Sequence, residues 1–314
     1  MLYENAKKLY LVNCETSGKS KNTIESYERT LRFFGDYLSG RSVCNIDNIT
    51  PSDLMDWKNK TATEVSSPTL RLYVTHLKGF FDFCFDMEFI PKNPFKKRVM
   101  EVVVKDTDRK DTTGHVLPEA CFRPIFTNRA PSHTHRKAIE RNRAILALLL
   151  TSGIRCENLC RLTLSDLFFM NGRIRIVDAK GGKNGEALFS GVAQKAVLEY
   201  IESGYRPDYL STSDTLFGFF DGNGIWNPYS RNQMSTIVEA AVRGFTGKEG
   251  FRAHSMRHTC ASVLSNNGLT DGEISTFLLH SDGTGAQVTN RYIARDNTAL
   301  FAKADAIFYN LIFC

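Results

Sequence analysis

No apolar run in this chain reaches the ~18 residues that a membrane-crossing helix requires. Its start, MLYENAKKLYLVN, also lacks the apolar stretch of about 7–15 residues found in a secretory leader. These absences predict a cytoplasmic protein with no membrane partner. The eight cysteines, at 14, 44, 84, 121, 156, 160, 260 and 314, are scattered and form no disulfide framework. Cys156 and Cys160 sit four apart, but no second Cys or His pair follows at zinc-ligand spacing, so the thiols read as reduced and mostly buried. There is no internal repeat and no low-complexity tract. AKGGKNGE does not fit G-x-x-x-x-G-K-[ST], which removes the usual support for nucleotide hydrolysis. Neither a metal nor an organic cofactor is expected.

What is present is an ordinary globular composition: 42% hydrophobic and 24% charged residues, with 40 Lys and Arg against 34 Asp and Glu. The resulting +6 charge permits a nucleic-acid partner without requiring one. At 314 residues the chain can hold two domains, each with its own core. The first hundred residues read as helices. NTIESYERTLRFFGDYL puts Ile24, Tyr27, Leu31, Phe34 and Leu38 on one face. NITPSDLMDWKNK carries a start signal, with Thr50 as N-cap, Pro51 in the first helical position and Asp53 in the first turn. SPTLRLYVTHLKGFFDFCFDMEFIP is long, rich in Phe and stopped by Pro91. A four-helix domain is expected over 1–91. KNPFKKRVMEVVVKDTDRKDTTGH has no sustained period and predicts a linker over 92–115. A second domain, 116–314, is expected to be mostly helical with one small sheet. GRIRIVDAKGGKNGEALFS alternates apolar and polar residues around Gly181-Gly182, a hairpin pattern with Lys180 and Lys183 at its turn. The fold class is therefore mainly α with a small β-sheet.

Five places stand out: Arg155 in TSGIRCENLCRLTLSDL, Lys180 in the hairpin, His254 and Arg257 in HSMRHT, His280 in FLLHSDG and Tyr292 in VTNRYIA. Their order and local context resemble the tyrosine recombinases, the phage-integrase and Xer-like DNA strand-exchange enzymes. TSGIR is similar to that family's T-G-[LM]-R box, HSMRHT to its H-x-L-R-H-[TS] box, LLHS to its L-G-H-[ST] box and TNRYI to its T-x-x-Y box. KSKNTIESYERTLRFFGDYL resembles the first long helix of the family's core-binding domain, so the likeness runs from Asn5 to Ala294.

The resemblance implies a helical core-binding domain followed by a catalytic domain. It also implies a site-specific DNA recombinase that cleaves and rejoins strands through a covalent 3′-phosphotyrosine, without metal or ATP. In that reading Tyr292 attacks phosphorus, Arg155 and Arg257 clamp the phosphate, and His254 takes the tyrosine proton. Lys180 protonates the 5′-oxygen as it leaves, and His280 donates to a non-bridging oxygen. The chemistry asks for these residue types on its own account. Attack on phosphorus builds negative charge on non-bridging oxygens, which preorganised cationic donors stabilise. A planar guanidinium donates to two oxygens and stays charged at working pH. A tyrosine hydroxyl, with an ordinary pKa of about 10, needs a base or a cationic field. His254 and Arg257, three apart, share a helical face and can reach one phosphate.

Three features depart from the family pattern. Asn158 stands where the family has Glu, and Glu157 lies one residue earlier, about 100° around a helix. Leu279 replaces the Gly of L-G-H. Tyr292 lies twelve positions after His280, a longer connection than usual, containing DGTGA. Lys183 is the rival of Lys180, and Tyr309, in AIFYNLIF, that of Tyr292. The resemblance further implies a two-domain clamp on double-stranded DNA, with Lys19, Lys21, Arg71, Lys78 and Arg98 as candidate phosphate contacts. It implies dimers and tetramers on DNA, and leaves room for accessory DNA-bending or directionality proteins. The C-terminal TALFAKADAIFYNLIFC, with Phe308, Leu311, Ile312 and Phe313, reads as a helix that either packs on its own domain or docks in a neighbouring protomer. Against strand exchange stand two alternatives: a DNA-binding regulator of the same fold, and a monomeric type IB topoisomerase-like relaxase.

Overall fold

The computed structural model describes residues 1–103, 115–127, 136–179, 183–279 and 297–314. The chain divides into two units, Met1–Lys110 and Asp111–Cys314.

In the first unit four long helices, α1 (Tyr3–Thr16), α2 (Lys21–Ser39), α3 (Pro51–Thr61) and α4 (Ser67–Asp86), are followed by a single turn, α5 (Lys97–Met100). Helix α3 starts where its cap dictates. The Thr50 hydroxyl oxygen accepts the Asp53 N–H at 3.2 Å, and the Asp53 carboxylate accepts the Thr50 N–H at 2.9 Å. The apolar stripe of α2 buries Leu31, Phe34 and Leu38. It meets the Phe80 and Phe81 face of α4 and Trp57 of α3 in an aromatic core. Phe34 and Trp57 pack edge to face at 5.4 Å, as do Phe80 and Phe81 at 5.2 Å. Each such buried side chain contributes about 1.5–3 kcal/mol. Within the expected linker, 92–115, the first part is anchored to this unit. Helix α5 delivers Met100, 1% exposed, into the aromatic core. A flexible unbranched side chain fills the gap there.

The second unit begins with α6 (Phe122–Thr127), α7 (Arg136–Ser152) and α8 (Cys156–Arg161). Strands β1 (Leu167–Phe168), β2 (Arg173–Ala179) and β3 (Lys183–Leu188) form an antiparallel sheet in the order β1-β2-β3. Then come α9 (Gly191–Glu202), β4 (Gly218–Phe220), β5 (Trp226–Pro228), α10 (Arg231–Thr246), α11 (Ala253–Asn266), α12 (Asp271–Phe277) and α13 (Thr298–Phe313). Ala144 through Leu150 of α7 are wholly buried, the pattern of a helix packed on all sides. Helices α9, α10 and α11 lie against it. The hairpin expected around Gly181-Gly182 is the β2–β3 pair, in register at Ile176 opposite Gly185 and Ala179 opposite Lys183, with a shift between them.

One expectation changes, and one open alternative is decided. The sheet is not alone: β4 and β5 form a separate ribbon, with Phe219 opposite Asn227. Strands of three residues are too short to show a period of two. In α13, of the two readings left open, the structure has the helix packed on its own unit, with Phe308 and Ile312 buried. With Phe301 and Ala304 they complete the core of their own unit at three-to-four spacing. Polar contacts fix the helix: the Asp305 carboxylate accepts the Gly191 N–H of α9 at 3.0 Å, and the Arg173 guanidinium lies 4.3 Å over the Phe301 ring. Among the described residues, no helix is long and apolar enough to cross a membrane.

Candidate active site

The site begins at a turn that only glycine permits. Gly153 follows α7 with φ +61°, and a Cβ there would meet Leu278 Cδ2 at 2.3 Å and Cys260 Sγ at 3.1 Å. This tight turn throws Ile154 into the core and leaves Arg155 as the N-cap residue of α8. The Gly153 carbonyl, freed from helical bonding, accepts a hydrogen bond from Arg257 Nη1.

Arg257 arrives from α11, a little over a hundred residues on, and is 7% exposed. Its Nη2 donates to the Leu278 carbonyl at 2.5 Å, while Arg155 Nη2 donates to the next carbonyl, Leu279, at 3.3 Å. The two guanidinium groups thus converge on adjacent peptides after α12. Neither takes part in a carboxylate ion pair among the described residues. Burial first, then the like charge of Arg155, pushes Arg257 down to about 10. Two positive groups held together without a carboxylate ion pair form a seat for an anion, because an uncompensated buried charge is costly.

His254 stands one turn before Arg257 on α11. Its Nε2 lies 3.0 Å from His258 Nε2, the rings nearly perpendicular at 82°. At that contact one nitrogen donates and the other accepts. Partial burial lowers the His254 pKa below its ordinary value, and the charges of His258, Arg257 and Arg231 lower it further. The imidazole is therefore neutral at pH 7 and able to accept a proton. Ile154, Arg155, Arg231, His254 and Arg257 line a cavity of about 360 Å³.

Of the six site residues read from sequence, the structure brings Arg155, His254 and Arg257 together. Lys180, His280 and Tyr292 lie outside the described residues. Glu157 pairs with Arg161 at 2.9 Å, one turn along α8, and also lines the cavity that Arg155 and Arg257 share. Asn158 lines a small pocket with both arginines but hydrogen-bonds to neither. Leu279 takes the left-handed conformation that its replacement of Gly demands, φ +53°. Its methyls cover Gly185 of β3, where a Cβ would lie 3.1 Å away. Tyr309 is half-exposed on α13, beside Phe313.

Sequence reasoning missed Arg231. It opens α10, whose start is marked by a Ser230–Gln233 capping box, a signal legible in YSRNQ. Nothing in the sequence says that this helix brings its first residue to the cavity that Arg155 lines. In the first unit, Lys19, Lys21, Arg71, Lys78 and Arg98 are all exposed. Arg71 and Lys78 line a groove of about 500 Å³ with Lys97 and Met100, and Lys78 is ion-paired with Asp82.

Residues 127–298 match the phage integrase family, and residues 10–86 match the phage integrase N-terminal SAM-like domain. The chain belongs to the phage integrase family. It is a tyrosine recombinase, an enzyme of the site-specific kind. Tyrosine recombinase XerC of Oceanobacillus iheyensis is 26% identical over 86% of this chain and 85% of its own length. Tyrosine recombinase XerD of Ralstonia nicotianae is 24% identical over 89% of this chain and 86% of its own length. Among solved structures, the Tn1549 transposon integrase in complex with circular intermediate DNA has a TM-score of 0.65 at 22% identity, covering 94% of this recombinase and 97% of that chain. A lambda integrase dimer bound to a core site has a TM-score of 0.66 at 16% identity, covering 90% and 97%. These likenesses establish the two-part fold.

Proposed function

We propose that this recombinase cleaves and rejoins double-stranded DNA through a 3′-phosphotyrosine on Tyr292. The observation that carries the reading is the pair of arginines without a carboxylate ion pair, Arg155 and Arg257, at one cavity with a neutral His254. A scissile phosphate seated there exchanges the carbonyls of Leu278 and Leu279 for its own oxygens as guanidinium partners. Charge growing on those oxygens during attack is then met by donors already in place. His254 takes the Tyr292 proton, Lys180 protonates the departing 5′-oxygen and His280 donates to a non-bridging oxygen. The phosphotyrosyl ester conserves the energy of the broken phosphodiester, so a 5′-hydroxyl from another strand rejoins it without ATP, and the arginines supply positive charge without a metal.

Both units contact DNA in this reading, the first through Lys19, Lys21, Arg71, Lys78 and Arg98, so affinity falls steeply with salt. The protein works in the cytoplasm on the nucleoid, as dimers that pair into tetramers. The test is capture of covalent adducts on fragmented genomic DNA under denaturing conditions, with wild type, Tyr292→Phe and Tyr309→Phe in parallel. Adducts at a recurring site that vanish only with Tyr292→Phe are expected. DNA binding without adducts would instead favour a regulator of the same fold.

A further inference from the structure

His258 carries no step in the reaction proposed above, yet it touches a residue that does. His254 and His258 lie one turn apart on α11, and HSMRH spaces them as H-x-x-x-H, the interval that puts two imidazoles on one helical face as neighbouring metal ligands. Their Nε2 atoms are 3.0 Å apart. The ring planes cross at 82° with centroids 4.5 Å apart, closer than a head-on contact would leave them, so the two nitrogens meet obliquely. His254 is exposed and His258 partly so, which leaves the pair open to an ion from solvent.

That spacing decides which ions fit. With metal–nitrogen bonds of about 2.0–2.1 Å, nitrogens 3.0 Å apart subtend about 95° at the metal. A near-right angle suits neighbouring positions of tetragonal copper(II) or nickel(II), whereas tetrahedral zinc needs the nitrogens ~0.3 Å wider. The surrounding charges select in the same direction. Arg257, Arg231 and His115 all act on His254, and a hard cation such as magnesium, held by charge and oxygen ligands, is repelled there. Copper(II) and nickel(II) bond instead to the lone pair of a neutral imidazole, the form in which partial burial and those charges keep His254. Cys156 lines the neighbouring cavity with His254, but among the described residues no three His, Cys, Asp or Glu side chains gather into one ligand set. Water therefore fills the remaining positions.

We propose that His254 and His258 form a chelating site for copper(II) or nickel(II) whose occupation shuts down the active site, the ion acting as an inhibitor rather than a cofactor. Both Nε2 lone pairs are donated to the ion. The ring whose Nε2 carried the shared hydrogen moves it to Nδ1, so no proton is released and both rings stay neutral. With Nε2 on the metal and hydrogen on Nδ1, His254 has no lone pair left for the Tyr292 proton. Attack on phosphorus then loses its base, which is worth about 100–10,000-fold in rate. The chelate stands on the geometry of α11 alone, and its effect on DNA rests on the recombination proposed above.

Nickel(II) chloride is the probe, because it does not oxidise the eight thiols. Calorimetric titration of the full chain is expected to show one ion bound per chain. His254→Gln and His258→Gln should each weaken that binding at least about 10-fold, the loss that even an outer partner of a metal ligand causes, while Cys156→Ser keeps it. The unaltered chain supplies an independent reading: nickel should shield His254 and His258, but not His115, from acylation by diethyl pyrocarbonate, mapped by mass spectrometry. Covalent DNA adduct formation should fall at least about 100-fold with saturating nickel and recover with EDTA, and nickel should leave the rate of His258→Gln where it was without the ion. Absence of binding, binding that survives both histidine changes or disappears with Cys156→Ser, or equal acylation with and without nickel would each overturn the site. Nickel-saturated protein that forms adducts at full rate would overturn the inhibition. If metal-free protein forms no adduct on any DNA, the recombination reading fails, and calorimetry and acylation still decide the chelate.

Discussion

Replacing Gly153 by alanine perturbs the site at its root, and the effect separates into two physical parts. The first is conformational: alanine at φ +61° costs about 1 kcal/mol in the left-handed region. The second is steric. A Cβ at 2.3 Å from Leu278 Cδ2 and 3.1 Å from Cys260 Sγ must push a fully packed core, at about 1–3 kcal/mol. Gly247, which ends α10 at φ +71° with nothing near its missing Cβ, isolates the first part. In thermal unfolding followed by circular dichroism, a kcal/mol shifts the midpoint of a unit of this size by about 2–4 °C. Gly247→Ala should therefore lose about 2–4 °C, and Gly153→Ala, at about 3 kcal/mol, about 6–12 °C. Equal losses in the two variants would refute the argument that Leu278 and Cys260 enforce the turn.

Lysine cannot reproduce the forked donors of the two arginines. Arg155→Lys and Arg257→Lys should each reduce covalent adduct formation by about 100–1000-fold while folding is kept, as measured by adduct yield and midpoint together. His76 should make the first unit acid-sensitive. The Thr30 hydroxyl donates to the Ser26 carbonyl and so accepts from His76 Nδ1 at 2.8 Å, while burial lowers the His76 pKa. The folded state resists protonation that the unfolded chain accepts near pH 6.5, so stability is full above that pH and declines as pH falls below it. Trp57 fluorescence during urea titrations at pH 7.5 and 5.5 should show the loss, and His76→Gln should abolish the difference. Asp305→Ala removes the carboxylate that accepts the Gly191 N–H, and should cost about 1 kcal/mol in urea unfolding.

Much of the fold was legible because its signals are local. The α2 stripe, the Thr50 cap and the β2–β3 alternation each depend on residues within one or two turns of one another. What escaped was non-local. Met100 sits in a segment without periodicity, and only the neighbouring aromatic core gives it a place. The β4–β5 ribbon is held by three-residue strands that carry no pattern. At the site, Arg155 and Arg257 were paired through motif resemblance alone, since nothing local relates residues a hundred apart. Their shared grip on the peptides of Leu278 and Leu279 was visible only in three dimensions, as was Arg231. The departures at Asn158 and Leu279 were legible as letters, but their outcomes depended on space: one hydrogen bond not made, and one strained leucine accommodated.

That accommodation ties two distant positions into a single heritable unit. Leu279 keeps its left-handed backbone and its bulk because Gly185, across the hairpin, presents no side chain beneath it. A descendant that gained a residue with a Cβ at 185 would first have to shrink 279, and one that restored glycine at 279 would free 185 to vary. Among relatives the two columns should therefore change in concert, and the glycine of the site can migrate from one motif to another while the space it guards stays the same.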